Sequence, residues 1–124
     1  MNYLLVAFAL LLVGCSPKDK FYYQTHPQYL QNAIKDCQLK ASTSLSCEQL
    51  KEVALASNAL AYQLQMNPQA FGQQILNLEE KIALQKKELN TKADQPKLKT
   101  GLEKNERLLK QYLAIVQWLE SPES

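Results

Sequence analysis

Residues 68–120 contain the pattern that most restricts how this chain can fold. In two segments separated by a short break, mostly apolar residues recur at alternating intervals of four and three. The first segment contains Phe71, Ile75, Leu78, Ile82, Gln85 and Leu89. The second contains Leu98, Leu102, Asn105, Leu109, Tyr112, Val116 and Leu119. These are heptad seams, and because the break at residues 93–96 is short, the pattern predicts two long helices that pair antiparallel as a hairpin.

Two features of these seams leave alternatives open. Gln85 and Asn105 are polar positions in otherwise apolar seams, where they either fix the register of the helix pair or, for Asn105, lie near a wet end of the hairpin. Further apolar residues widen the apolar face beyond the seams: Leu76, Leu84, Leu108, Leu113 and Ile115. These residues either contact the rest of the domain or form a surface for a partner.

A shorter helix is predicted to start at Pro27. Proline suits the first position of a helix because its missing N–H is not needed there. An apolar face follows at helical spacing: Leu30, Ala33, Ile34, Cys37 and Ala41. A turn rich in serine and threonine at residues 42–46 then ends this helix.

The next helix is predicted to begin near Cys47. Ser46 and Gln49 have the spacing of a capping box, which marks a helix start. At the other end, Asn67 and Pro68 leave two interpretations. They either cap and begin a new helix or kink one continuous helix that runs from residue 47 to about residue 92.

An unbroken apolar run from Tyr3 to Val13 leads into the sequence Leu12-Val13-Gly14-Cys15. The run is too short to span a bilayer, which takes about 20 residues, but it has the length of the apolar core of a signal peptide. The Leu-Val-Gly-Cys order resembles the bacterial lipobox, in which signal peptidase cuts before the cysteine and the thiol carries a diacylglycerol. The resemblance implies that Cys15 anchors the mature protein in a membrane. The alternative is a buried N-terminal helix that ends in a chance Gly-Cys.

This interpretation divides the chain into a signal peptide over residues 1–14, a lipidated tether over 15–24, a single helical domain over 25–120 and a frayed tail over 121–124. The tether is short, so the domain is expected to lie close to the membrane. The tether contains an aromatic cluster, Phe21, Tyr22 and Tyr23. We expect this cluster to pack on the domain as a lid over its first helix. The alternatives are contact with lipid headgroups or with a partner.

The cysteine count adds a second constraint. The chain has three cysteines. With Cys15 lipidated, Cys37 and Cys47 remain as an even pair in an exported, oxidising compartment. They stand at the end of one predicted helix and the start of the next, which are neighbours in an αα-hairpin. The spacing favours a structural disulfide, worth roughly 2–3 kcal/mol, over two free thiols or over a redox pair, which is normally spaced Cys-x-x-Cys.

The predicted fold class is therefore all-α. Alanine, leucine, glutamine, lysine and glutamate dominate, and they are strong helix formers. No run of alternating β-branched residues indicates a strand. We expect a small helical bundle made of a disulfide-stapled αα-hairpin and a longer antiparallel, coiled-coil-like hairpin, after a cleaved signal peptide.

The sequence contains no pattern typical of catalysis or cofactor binding. His26 is the only histidine, and before a helix-start proline it is expected to be a local cap or a surface side chain. No second histidine or spare cysteine supports a metal site, and neither a Gly-rich phosphate loop nor a serine-nucleophile motif is present. The 14 basic and 12 acidic side chains give a net charge of +2, which leaves no basic footprint for nucleic acid. We therefore expect neither an enzyme nor a protein that binds a cofactor, a metal, a nucleic acid or a small-molecule substrate.

After the lipobox, the chain has the order Phe21-Tyr22-Tyr23-Gln24-Thr25-His26-Pro27, then Leu30, Cys37, Ser46 and Cys47. Over residues 12–50 this order resembles the EexN-type entry-exclusion lipoproteins of conjugative plasmids, which have a lipobox, an aromatic pair, a His-Pro and two cysteines bracketing a short loop. The aromatic pair matches Tyr22 and Tyr23, and the His-Pro matches His26 and Pro27. The resemblance implies that these four residues are candidates for binding a partner.

The same resemblance implies a periplasm-facing lipoprotein that binds a protein of a type IV secretion or conjugation apparatus. Ser16, rather than an aspartate, follows the lipidated cysteine, which favours sorting to the outer membrane over retention in the inner membrane. The alternative function is that of a pilotin-like lipoprotein, which carries a secretion-system subunit to the outer membrane and needs an apolar groove for an amphipathic helix. A passive structural role in the envelope is a third class.

Overall fold

The computed structural model describes residues 18–39, 45–91 and 95–120. These residues form five α-helices and one 3-10 helix: α1 (Lys20–Thr25), the 3-10 helix (Pro27–Tyr29), α2 (Leu30–Leu39), α3 (Cys47–Met66), α4 (Pro68–Thr91) and α5 (Pro96–Glu120). The described residues contain no strand, and the predicted all-α bundle is confirmed. The predicted signal peptide, Cys15 and the tail 121–124 lie outside the described residues.

The two long helices α4 and α5 form the predicted hairpin. On the α4 seam, Phe71 is buried, and its ring lies 4.7 Å from that of Tyr112 on α5. Further along α4, the Asn105 side-chain amide donates to Gln85 Oε1 at 3.0 Å. A Cβ added at Gly101 would lie 3.3 Å from Gln85 Nε2, so α5 approaches α4 closely at this level. The two polar seam residues therefore pair with each other, which favours the interpretation that they fix the register.

The disulfide-stapled hairpin consists of α2 and α3. Cys37 and Cys47 form a disulfide bond with their Cα atoms 5.6 Å apart. The Ser46 hydroxyl accepts from the Gln49 N–H at 3.2 Å, and the Gln49 side chain accepts from the Ser46 N–H at 2.9 Å, so the predicted capping box is formed. The capping box marks the start of α3, and the disulfide holds the C-terminal part of α2 beside it.

The chain changes direction between α3 and α4 at Asn67, which leaves the helical region of backbone space with φ −148° and ψ 79°. Its side-chain oxygen accepts from the Ala70 N–H at 3.1 Å. Pro68 disfavours the helical conformation in the residue before it. Residues 47–91 therefore form two helices with a capped corner, and not one kinked helix.

The core has two parts. One part lies between α1 and the disulfide-stapled hairpin, which we call the first hairpin. It contains Tyr23, Leu30, Ala33, Leu50 and Val53. The other joins the two hairpins and contains Ala61 of α3, Phe71 of α4 and Ile115 of α5. Ser57 is buried on the same face of α3 as Leu50, and its Oγ has no hydrogen-bond partner among the described residues.

The five apolar residues that lie off the seams divide between the two alternatives. Ile115 has no exposed surface, because it faces the first hairpin. The other four are exposed: Leu76, Leu84, Leu108 and Leu113. Only one of the five residues therefore serves the docking of the two hairpins.

The N-terminal segment differs from the expected tether, which was to extend to residue 24. Lys20–Thr25 form helix α1, which begins where the Asp19 carboxylate accepts from the Tyr22 N–H at 2.9 Å. The helix packs against α3 and α5, and Tyr23 is buried in the core of the first hairpin. The packed domain therefore begins at Lys20, because burial of Tyr23 fixes a segment too short to be a stable helix alone. In the described part of the chain, no helix has the length and apolar character needed to cross a bilayer.

Truncation of Ile115 should weaken the packing between the two hairpins. We expect Ile115→Ala to lower the free energy of unfolding by about 2–5 kcal/mol, because it leaves a cavity where α3, α4 and α5 meet. Leu113→Ala, on the same helix but 45% exposed, is the matched control and should cost less than about 1 kcal/mol. Urea denaturation followed by circular dichroism measures both changes. Equal losses in the two variants would contradict the burial of Ile115.

Candidate functional site

A set of aromatic rings lies where α1 meets the 3-10 helix. The two elements join at His26, which leaves the helical conformation with φ −134° and ψ 62°. Pro27 follows and starts the 3-10 helix. The Thr25 hydroxyl donates to the Phe21 carbonyl at 3.0 Å, which closes the end of α1. This compact turn brings Tyr22, His26 and Tyr29 onto one side of the chain.

The three rings are nearly parallel. Those of Tyr22 and His26 have centroids 4.2 Å apart and planes inclined by 19°. The ring of Tyr29 lies 6.0 Å from that of His26 and 6.4 Å from that of Tyr22. We call Tyr22, His26 and Tyr29 the aromatic stack. The ring of Tyr23 instead meets Tyr22 edge-on at 5.2 Å and points into the core.

The tautomer of His26 follows from its contacts. Its Nδ1 lies 2.7 Å from the Tyr22 carbonyl oxygen. A carbonyl oxygen only accepts, so Nδ1 carries a proton and donates to it. The Thr25 hydroxyl lies 3.1 Å from the same nitrogen. In the described part of the chain Nε2 has no hydrogen-bond partner, so in this tautomer its lone pair can accept a hydrogen bond from water or from a binding partner.

The four predicted partner-binding residues lie together but are not equivalent. Tyr23 and Pro27 are buried, so their role is to hold the turn against the bundle. Tyr22 and His26 are half-buried and remain accessible at one edge. Tyr29 is more exposed than either, at 47%, and the sequence analysis did not select it. No local pattern in the sequence would have selected it, because the break at His26 brings its ring beside those of Tyr22 and His26.

A cleft of about 410 Å³ opens beside the aromatic stack. Its lining residues are Lys18, Tyr22, Tyr23, Tyr29, Asn32, Ala33 and Asp36. The Lys18 ammonium lies 5.7 Å from the centroid of the Tyr22 ring, within the range of a cation–π interaction. The cleft thus presents one cation, one carboxylate, one amide and aromatic edges, which is a set of groups suited to recognition of a polar partner segment.

Other charged groups surround the opposite side of α1. The Arg107 guanidinium lies 5.1 Å and the Lys110 ammonium 6.0 Å from the centroid of the Phe21 ring. Both cations belong to α5, so these contacts hold α1 against the last helix of the bundle. Phe21 is half-buried, with two cations beside its ring.

No group of three or more histidine, cysteine or acidic side chains lies close enough in residues 18–39, 45–91 and 95–120 to hold a metal ion. Cys37 and Cys47 are joined to each other, so neither thiol is available as a nucleophile. Burial raises the pKa of the Tyr23 phenol above its ordinary value of 10.0, and the nearby Tyr22 and Asp36 raise this pKa further.

The sequence matches no protein-family model, and comparisons with curated proteins and with solved structures find no significant similarity. The aromatic stack and its cleft are therefore interpreted from their own geometry. The resemblance to EexN-type lipoproteins over residues 12–50 stays a prediction.

The raised pKa of Tyr23 gives the domain a pH dependence at alkaline pH. Because the folded-state pKa is higher than that of the unfolded chain, the stability that depends on the protonated phenol is present below about pH 10. It is lost as the pH rises through the folded-state pKa. We expect the free energy of unfolding to fall less steeply above about pH 10 in Tyr23→Phe than in the wild type.

Urea unfolding at a series of alkaline pH values measures this slope. Tyr29→Phe removes an exposed phenol hydroxyl by the same substitution and is the matched control. Equal slopes in Tyr23→Phe and the wild type would contradict a raised pKa of the Tyr23 phenol.

Proposed function

We propose that this protein is a membrane-anchored bacterial lipoprotein that acts as a non-catalytic protein-interaction module. The observation that carries the proposal is the sequence Leu12-Val13-Gly14-Cys15 at the end of an apolar run. An apolar run of this length suits a signal peptide, and its last residues have the order of a lipobox. Cys15 is then the first residue of the mature chain and bears the lipid.

The disulfide supports export from the cytoplasm. Cys37 and Cys47 are bonded to each other, and structural disulfides persist in oxidising compartments such as the bacterial periplasm. The chain has three cysteines, so this pairing leaves Cys15 as the one cysteine for lipidation. The two observations are independent, since one rests on the N-terminal sequence and the other on the folded domain.

The position of the aromatic stack relative to the lipid defines what kind of partner can reach it. Lys18, on the rim of the cleft, follows Cys15 by three residues, a distance of at most about 11 Å in an extended chain. The cleft then lies within reach of the membrane surface. A partner that binds there must itself extend to the membrane, as the envelope components of a secretion apparatus do.

For the partner, we propose a component of a type IV secretion or conjugation system. The support is the resemblance of residues 12–50 to EexN-type entry-exclusion lipoproteins, in which Tyr22, Tyr23, His26 and Pro27 match the aromatic pair and the His-Pro. The exposed groups of the aromatic stack add a physical reason, since tyrosine is enriched among the residues that dominate binding energy. The residue after Cys15 is Ser16, which favours the outer membrane.

The pilotin-like alternative makes a different demand on this site. It needs an apolar groove that accepts an amphipathic helix. The cleft beside the aromatic stack is lined by Lys18, Asn32 and Asp36 as well as by rings, and it does not meet that demand. The identity of the protein that crosslinks at Tyr29 distinguishes the two functions.

Lipidation is tested first. Globomycin, which blocks the lipoprotein signal peptidase, should leave a precursor heavier than the mature protein by residues 1–14. Cys15→Ala should likewise remain unprocessed and should lack the mass of the lipid, whereas Ser16→Ala should be processed as the wild type. Intact mass and membrane fractionation provide the measurements. Unchanged mature mass and membrane association with the drug and in Cys15→Ala would refute the lipid anchor.

The partner is tested by a photo-crosslinking amino acid at Tyr29 in the full-length protein in cells, with the same amino acid at Leu84 as control. We expect a crosslink to a type IV secretion or conjugation component at Tyr29 alone. Tyr29→Ala should weaken binding of that component by roughly 30-fold, since an aromatic hot spot contributes about 2 kcal/mol. A secretin crosslinked at Tyr29 would overturn this choice of partner in favour of the pilotin-like function. Absence of any specific crosslink at Tyr29 would contradict partner binding at the aromatic stack.

A further inference from the structure

The charged residues of the chain are distributed unevenly. Charged side chains make up 21% of the sequence, yet none occurs between Glu52 and Glu79. This interval covers most of α3, the corner at Asn67 and the first half of α4. This part of α3 and α4 therefore carries no formal charge, although most of its side chains face solvent.

Large apolar side chains are exposed on this end. Leu55, Tyr62 and Met66 are exposed by 71%, 62% and 66%. Their spacing of seven and four residues places them on one face of α3. The buried residues of α3 lie on the opposite face: Leu50, Val53, Ser57 and Ala61. The exposed apolar stripe is thus no by-product of core packing, because the core uses the other side of the helix.

A shallow cleft continues this stripe around the corner between α3 and α4. It has a volume of about 290 Å³ and is lined by Tyr62, Gln63, Met66, Asn67, Ala70, Phe71 and Gln74. Phe71 is buried at its base, and Tyr62 and Met66 are exposed at its edge. The cleft offers an apolar recess large enough to receive an apolar side chain. We call the stripe Leu55, Tyr62 and Met66 together with this cleft the uncharged face.

The polar groups around the uncharged face are side-chain amides. The exposed amide residues in the charge-free interval are Asn58, Gln63, Gln65, Asn67, Gln69, Gln73, Gln74 and Asn77. An amide carries both donors and an acceptor, so it can pair with another amide of the same kind. Gln73 and Asn77 already do so within α4, where the Gln73 amide donates to Asn77 Oδ1 at 3.1 Å. Charged side chains lack this property, because like charges repel.

We propose that the uncharged face is a homodimer interface, occupied by a second copy of this chain. A two-fold interface places the same patch of each copy against itself. A charged side chain near the two-fold axis would lie beside the same charge of the second copy and be repelled. Amides and apolar side chains can pack against identical groups without repulsion. The cores of protein interfaces are also depleted in charge and enriched in tyrosine and methionine. The uncharged face contains one of each, Tyr62 and Met66.

The composition of the uncharged face argues against two other occupants. A membrane surface with anionic lipids attracts lysine and arginine, and the interval between Glu52 and Glu79 has neither. A partner with charged side chains would have to bury them without counter-charges. The dimer does not depend on the proposed partner at Tyr29, and lipid anchoring would only raise the local concentration of the two copies.

The experiment uses the full-length protein in cells that express two differently tagged copies. A photo-crosslinking amino acid replaces Tyr62 in one copy and, in a parallel strain, Leu84, which is 60% exposed on α4 outside the charge-free interval. We expect a crosslinked product that carries both tags from position 62 and none from position 84. A crosslink from position 62 to lipid or to a different protein, or no crosslink from it, would overturn the homodimer.

A charge placed on the face provides the second measurement. Met66→Glu in both copies should reduce the co-isolation of the two tags by at least about tenfold, because each copy then presents a like charge to the other. Leu84→Glu, a matched substitution of an equally exposed residue, should leave co-isolation within about twofold. Met66 is exposed, so the circular dichroism of the variant should equal that of the wild type. Undiminished co-isolation in Met66→Glu would overturn the homodimer as clearly as a missing crosslink.

Discussion

Ile115 is the residue through which the two hairpins of this bundle are joined. Its side chain is fully buried against Ala61 and Phe71, so α3, α4 and α5 meet around one apolar group. Burial of a large aliphatic side chain contributes roughly 1.5–3 kcal/mol, and this contribution exists only when both hairpins are in place. Helix α1 packs against both α3 and α5, so the aromatic stack that begins on α1 is placed by both hairpins.

A polar side-chain pair in one hairpin and a disulfide in the other define the geometry of the bundle, whereas apolar packing stabilises it. Gln85 and Asn105 select one register of the long hairpin through a single side-chain hydrogen bond, and a polar pair in a coiled-coil seam has this effect at some cost in stability. The disulfide between Cys37 and Cys47 constrains the shorter hairpin, whose helix α2 has only ten residues. Each hairpin thus has its own device that defines its geometry before the two dock.

The sequence was sufficient for those features that depend on neighbours in the chain. Heptad spacing identified α4 and α5, and the capping box at Ser46 identified the start of α3, because caps and seams are local patterns. Asn67 and Pro68 left a new helix and a kinked continuous helix as alternatives. It was insufficient for α1, whose six residues have no helical period long enough to recognise and depend on burial of Tyr23. It also left open which off-seam residue would be buried, since that depends on where the first hairpin docks. Tyr29 was missed because its exposure is a result of the turn at His26.

The contacts of Phe21 with Arg107 and Lys110 join the first helix of the described residues to the last one. A chain that leaves the cytoplasm with its N-terminus first would deliver α1 long before α5. During that interval α1 has no α5 surface to pack against. The topology thus sets an order of events: α1 becomes fully packed only after α5 has followed it.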